Sequence, residues 1–242
     1  MQDLQDYTAL ITGGTAGIGL ETARLLAERG ARVIITGRDT QKGKAALASL
    51  GDNRNIRFIA ADLGSLESID QLVDTVGAVD IIVNNAAAFP TATTLHQDVD
   101  RFETVFNTNV RGAYFLVAKL VPHMLAEGHG SIINVSSIAT AKGMAESSVY
   151  SASKAALESL TRTWAVEFGP QVRVNTVAPG PTRTEGVLAD WGDRVEELGQ
   201  GTALRRTADP AEIAEVIAFL ASPAASYVTG ATIRADAGGA IS

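Results

Sequence analysis

Tyr150 and Lys154 stand four residues apart in a stretch of good helix formers, 149–157. Positions i and i+4 share one face of a helix, so a phenol and an ammonium would project side by side. An unperturbed tyrosine titrates near pH ~10, too high for proton transfer at neutral pH. Lowering it by about three units needs roughly 4 kcal/mol. One ammonium at about 4 Å, in an effective dielectric of about 20, supplies roughly that much. Desolvation pushes the other way, so the pair is feasible as an acid/base couple and no more. The spacing alone fits an ordinary helix better; the rest of the chain gives it meaning.

A glycine cluster carries the second chemistry. The apolar run 7–12 reads as a buried strand that stops at Gly13 and Gly14. Thr15, Ala16, Gly17, Ile18 and Gly19 then lead into a helical pattern closed by Gly30. Such a turn lets backbone N–H groups approach a pyrophosphate, whose charge the helix N-terminus favours. A second strand, 31–36, ends at Gly37 and Arg38. An acid about twenty residues beyond the glycines would hold a ribose 2′-OH. Gly37 occupies that place with no carboxylate, and a guanidinium suits a 2′-phosphate. NADP(H) is therefore expected, with NAD(H) as the alternative, since Asp39 could partly offset the arginine.

The elements that would position these groups follow from the hydrophobic pattern. Further strands are expected at 56–61, 79–83, 130–137, 172–177 and about 231–234. Ser65 caps a helix to about residue 76, and a long amphipathic stretch, 99–126, carries Asn107 and Asn109. The Tyr150 helix runs to about Phe168. Asp209, Pro210 and Glu212 mark a strong helix start, with Ile213, Val216, Ile217 and Leu220 as its buried face. Alternating strands and helices imply an α/β fold: a doubly wound, Rossmann-type parallel sheet in a single domain over 1–242. Ligands in such sheets lie beyond the carboxyl ends of the strands. That edge would gather Gly13, Arg38, Asp62, Asn85, Ser137 and Pro179.

Composition narrows the function. There is no cysteine, which removes thiol nucleophiles and disulfides. None of the three histidines has a partner at zinc-ligand spacing, so no metal site is expected. The formal charge of −7 argues against a nucleic-acid partner. Residues 1–6 lack the basic and apolar regions of a signal peptide, and no apolar run reaches membrane-spanning length. A cytoplasmic protein without a membrane partner is the expectation.

From end to end the chain resembles the short-chain dehydrogenases/reductases. The matching segments are 12–19, Asp62-Leu63, Asn84-Asn85-Ala86-Ala87, Asn109, 134–137, Tyr150-Ser151-Ala152-Ser153-Lys154, Pro179-Gly180, 227–230 and 236–239. The resemblance implies that Tyr150 is the acid in reduction and the base in oxidation. By the same resemblance Lys154 lowers its pKa and holds the nicotinamide ribose, and Ser137 hydrogen-bonds the substrate carbonyl oxygen. Asn109 would anchor a relay water. Gly13, Thr15 and Ile18 would border the cofactor phosphates and ribose, Asp62 and Leu63 the adenine, Asn85 and Ala86 its neighbouring ribose. Thr182 and Thr184, after Pro179-Gly180, would meet the carboxamide. Ala87 departs from the family's usual glycine and would be strained if its φ were positive.

The substrate implied is a small ketone or secondary alcohol, held by the loop 138–148 and by a substrate loop at about 181–206. Met144 and Trp191 could line an apolar pocket there, and the second segment could act as a lid. Reduction of 3-oxoacyl groups on acyl carrier protein is the alternative, disfavoured because Glu127 has the wrong sign for an acidic carrier. A dinucleotide-binding sensor without turnover would be expected to lose one of Asn109, Ser137, Tyr150 or Lys154. An epimerase or dehydratase of this fold usually carries a longer C-terminal domain. The resemblance also implies a homotetramer, through the helices of Asn109 and Tyr150 and through the last strand. Phe115, Leu116, Leu157, Leu160 and Trp164 fit either an interface or the core.

Overall fold

The structure, a computed structural model, describes residues 3–51 and 53–242. Met1 and Gln2, part of the leader reading, lie outside it. Strand β1 (Thr8–Thr12) leads to α1 (Gly17–Glu28), followed by β2 (Arg32–Gly37), α2 (Thr40–Ser49) and β3 (Ile56–Ala60). Next come α3 (Leu66–Val76), β4 (Ile81–Asn84), α4 (Val99–Phe106), α5 (Ala113–Glu127) and β5 (Gly130–Val135). The chain continues with α6 (Ser148–Glu167), β6 (Val172–Pro179), α7 (Glu185–Trp191), α8 (Arg194–Gln200), α9 (Pro210–Ala221) and β7 (Thr232–Ala235).

Seven parallel strands pair in the order β3-β2-β1-β4-β5-β6-β7. The winding reverses between β1 and β4, which opens a crevice outside the carboxyl ends of those strands. Strand residues point to opposite faces in turn. Ala9 and Ile11 pack with α1 and α9 through Ala23, Leu26, Ile213 and Ile217. Leu10 packs on the other side with α3 and α5 through Ile69, Leu72, Leu116 and Leu120. Both faces being covered explains why the strands read as unbroken apolar runs. The α/β doubly wound reading holds.

Local chemistry sets the helix starts. Ser65 Oγ accepts from Ser68 N at 3.3 Å. Asp209 accepts from Ala211 N at 3.0 Å, and Glu212 returns an acceptor to Asp209 N at 2.9 Å. The helical stretch expected over 99–126 is present, but a π-helical turn, Asn107–Gly112, sits between α4 and α5. A π turn cannot be read from apolar spacing, and such turns recur at functional sites. Strand five ends at Val135; Ser136 N still donates to Val177 O at 2.7 Å, and Ser137 lies beyond the strand. The segment after β6 holds the two short helices α7 and α8, which the pattern did not resolve. Leu116, Leu157 and Trp164 belong to the core, whereas Phe115 is exposed.

Candidate active site

The glycine turn is shaped by close approach. A Cβ on Gly13 would meet Ala86 Cα at 2.9 Å, and its φ is +64°, where glycine is favoured. One on Gly19 would meet Asn85 Nδ2 and Gly13 O, each at 2.5 Å. Asn85 is the brace: its Nδ2 donates to Thr12 O at 2.9 Å and to Gly13 O at 3.0 Å. Thr12 Oγ1 in turn accepts from the N–H groups of Asn85 and Ala86, both at 3.0 Å. Helix α1 then opens at Ala16 with no side-chain cap and no acid in its first turn. An uncapped, acid-free N-terminus beside a backbone cradle fits the pyrophosphate of a dinucleotide.

The other cofactor candidates line this edge. Thr15 lies against Gly37, where an added Cβ would meet Thr15 Cγ2 at 3.1 Å. Thr184 lies against Gly17, with Cγ2 2.9 Å from the corresponding Cβ position. Ile18 packs into the core beneath the turn. Arg38 is exposed. Asp39 is occupied elsewhere: its Oδ1 accepts from Gln41 N at 2.8 Å and Lys42 N at 3.1 Å as the N-cap of α2. Those two backbone donors hold its carboxyl below the usual carboxylate range. Asp62 is half-buried, with Oδ1 accepting from Gly64 N at 2.9 Å. The Leu63 side chain is a core residue, leaving only its backbone for a ligand. Thr182 is turned inward onto Gly180 O at 3.0 Å, and Gly180 backs onto Asp236. Ala87 is exposed and is not among the residues with positive φ, so the strain considered for it is absent.

Tyr150 and Lys154 do share a face of α6. Lys154 is 1 % exposed, and its Nζ donates to Val135 O at 2.8 Å. That amine lies 5.6 Å from the centre of the Tyr150 ring. Burial pushes the Tyr150 phenol up to about 12, and a hydrogen bond with Ser137 offsets this only in part. Burial likewise draws the Lys154 amine down to about 8. In the chain by itself burial therefore sets the direction for the phenol, and the lowering contact is Ser137. Ser137 joins them at the end of β5; its Oγ accepts from Ala139 N at 3.2 Å, and its hydroxyl meets the Tyr150 phenol.

Asn109, in the π turn, is buried. Its Nδ2 donates to Ala88 O at 3.1 Å and to Ser153 Oγ at 3.0 Å, and its Oδ1 accepts from Ala88 N at 2.7 Å. Ser153 Oγ passes the link to Tyr150 O at 2.7 Å. Both amide hydrogens are thus engaged, and the side chain fastens the loop after β4 to the Tyr150 helix.

That loop carries Phe89, which the sequence did not single out. Its ring centre is 4.2 Å from Tyr150 and 5.6 Å from Trp191. The three rings form a continuous aromatic wall, and the Arg194 guanidinium lies 5.5 Å over Trp191. A lone phenylalanine among small loop residues has no spacing to betray it. Met144 is half-buried in the loop before α6.

Residues 13–239 match the family described as Enoyl-(Acyl carrier protein) reductase. The chain is 39% identical over 239 residues to cis-4-hydroxycyclohexanecarboxylate dehydrogenase of Sinomonas cyclohexanicum, covering 96% of each. It is 36% identical to the 3-oxoacyl-(acyl-carrier-protein) reductase FabG of Vibrio harveyi, covering 98% of each. The chain is a short-chain dehydrogenase/reductase. A solved short chain dehydrogenase/reductase family protein superposes with a TM-score of 0.94 at 55% identity, covering 99% of this chain and 100% of that one. As a short-chain dehydrogenase/reductase it is an NAD(P)(H)-dependent oxidoreductase acting on alcohol and carbonyl groups. No described helix is long and apolar enough to cross a membrane.

Proposed function

We propose that this short-chain dehydrogenase/reductase interconverts a small, apolar, ring-bearing ketone and its secondary alcohol with NADP(H), reduction being the cellular direction. The carrying observation is the meeting of Ser137, Tyr150 and buried Lys154 at the end of β5, beside the glycine turn. When bound, the dinucleotide supplies or accepts the hydride. Ser137 donates to the substrate oxygen, and Tyr150 protonates it in reduction or deprotonates it in oxidation. Burial holds the Tyr150 phenol protonated in the chain by itself, and a contact from the Lys154 ammonium in the loaded site would have to lower it for transfer at neutral pH. Lys154 spends one donor on Val135 O, leaving two for the phenol and the nicotinamide ribose. Asn109 would hold the relay water through its main chain, since its side chain is engaged.

Gly37, exposed Arg38 and the diversion of Asp39 to α2 support a 2′-phosphate. The backbone around Gly13, Thr15, Ala16, Gly17, Ile18 and Gly19 would take the pyrophosphate, while Asp62, Leu63, Asn85 and Ala86 would flank the adenosine. Pro179, Gly180, Thr182 and Thr184 would border the nicotinamide. The Phe89–Tyr150–Trp191 wall, together with the substrate loop at 181–206, suits a flat or alicyclic substrate. The name of the Sinomonas relative, a dehydrogenase of a hydroxylated cyclohexane ring, agrees with that. The name of the Vibrio relative keeps acyl-carrier substrates as the second reading, against which Glu127 is exposed near the turn before β5.

A cytoplasmic homotetramer completes the reading. A groove of about 540 Å³ runs between α4, α5 and α6, lined by Phe106, Val110, Tyr114, Phe115 and Leu160. Tyr227 and Ile241, on either side of β7 in the sequence, are also exposed. Light scattering should return four times the chain mass; a monomer would contradict it. For the cofactor, wild type should favour NADPH over NADH at least tenfold in kcat/KM, and Arg38→Ala should erase most of that. A wild-type preference for NADH would contradict the assignment. Cyclic ketones should outrun both linear ketones and carrier-bound 3-oxoacyl thioesters.

A further inference from the structure

Tyr150, Lys154 and Glu158 recur at intervals of four along α6 and share one face. Only the first two have a place in the chemistry above. Glu158 Oε1 accepts from Ser136 Oγ and from Thr140 Oγ1, each at 2.7 Å. These two hydroxyls bracket Ser137. Thr140 Oγ1 also lies 2.9 Å from Ser137 O, and Ser136 Oγ lies 3.4 Å from Lys154 O. Among the described residues Glu158 makes no ion pair. Its half-buried carboxylate is therefore committed to the turn that carries Ser137.

The type of residue matters here. An ionised carboxylate only accepts, so both hydroxyls must turn their protons toward it. Hydrogen bonds to a charged acceptor are about twice as strong as neutral ones. The turn has few other anchors to α6: Lys154 grips Val135 O from the strand side. Between these grips sits Ser137, whose Oγ is aimed by the local backbone through its bond from Ala139 N. We propose that Glu158 is a positioning residue, clamping residues 136–140 to α6 so that the Ser137 hydroxyl stays aligned with Tyr150 and the substrate oxygen. This rests on the role assigned to Ser137 in the proposed function.

The test is a double-mutant cycle with NADPH and a cyclic ketone, reading kcat, KM and NADPH affinity separately. Displacing a catalytic group by about 1 Å can cost about a hundredfold, so a partly loosened turn should cost on the order of tenfold. Glu158→Ala is expected to lower kcat by that factor, with KM and NADPH affinity within twofold. Glu158→Gln, whose amide oxygen still accepts both hydroxyls, should recover most of it. In a Ser137→Ala background Glu158→Ala should cost nothing more. Thr140→Val, which removes one arm, should lower kcat about threefold with the same silence in that background; it carries the test if Glu158→Ala does not fold. An undiminished loss in the Ser137→Ala background would overturn the proposal, as would a Gln variant no better than Ala or a loss confined to KM. Wild-type turnover by Ser137→Ala alone would instead sink the catalytic reading of Ser137, and the clamp with it.

Discussion

The floor of the cleft and its outer wall are built on different physical terms. On the floor, Thr12, Asn85 and Gly13 form a closed set of hydrogen bonds, and Lys154 is driven into the core. The wall, Thr184 to Arg206, is largely exposed and is tied down by ion pairs at the surface. Arg183 meets Glu196 at 2.7 Å and Arg206 meets Glu212 at 2.6 Å. Exposed pairs of this kind are screened by solvent and contribute little. In the proposed mechanism a buried floor would fix where hydride and proton go, while a weakly held wall could vary to choose what is brought there.

Of the changes that separate the two regions, the largest effect should be on the floor. Gly19→Val would drive side-chain atoms into Asn85 and the Gly13 carbonyl, with even the Cβ only 2.5 Å away. NADPH affinity, followed by nucleotide fluorescence, is expected to fall at least a hundredfold. Retained affinity would show that the turn is looser than its hydrogen bonds suggest.

Next in size is the cost of burying Lys154. Its amine falls from 10.5 in the unfolded chain to about 8 in the folded one. Between those values the unfolded chain binds the extra proton, so stability should rise with pH from about 8, by up to about 3 kcal/mol. Tyr150, raised from 10.0 to about 12, works in the opposite sense above pH 10. Urea unfolding of the chain without nucleotide from pH 7 to 10 should show the rise, and Lys154→Met should abolish it. A flat wild-type profile would mean that the amine is not desolvated.

On the wall, and at Phe89 packed against its Trp191, the effects should be smaller and should concern choice. Phe89→Ala is expected to lower kcat/KM for cyclic ketones about tenfold while leaving small linear ketones within threefold. A uniform loss across both classes would make Phe89 a general support instead of a selector. Smallest of all, Glu196→Ala should barely move the urea unfolding midpoint and leave NADPH affinity unchanged. Amide exchange should also be faster over residues 184–200 than in β1; equal protection would remove the contrast between the two regions.

The same contrast explains what could be read from the chain. Buried strands leave unbroken apolar runs, and glycines forced by close approach leave a pattern, so the α/β sheet, the 13–19 turn and the Tyr150–Lys154 face were legible. Helix caps at Ser65 and Asp209 were legible because one residue's chemistry decides them. The π turn at Asn107–Gly112 was not, since it changes hydrogen-bond register without changing apolar spacing. Nor was Phe89, whose position depends on Asn109 gripping Ala88 twenty-one residues away. Charge proximity was legible, but its outcome was not: Lys154 stands near Tyr150, and desolvation still raises the phenol.

The central claim is that Tyr150 moves the proton while other groups bind the dinucleotide. Tyr150→Phe keeps the ring against Phe89 and removes only the hydroxyl. Measured with NADPH and a cyclic ketone that the wild type turns over, kcat should fall at least a thousandfold, with NADPH affinity within threefold of wild type. Turnover within tenfold of wild type would contradict the account.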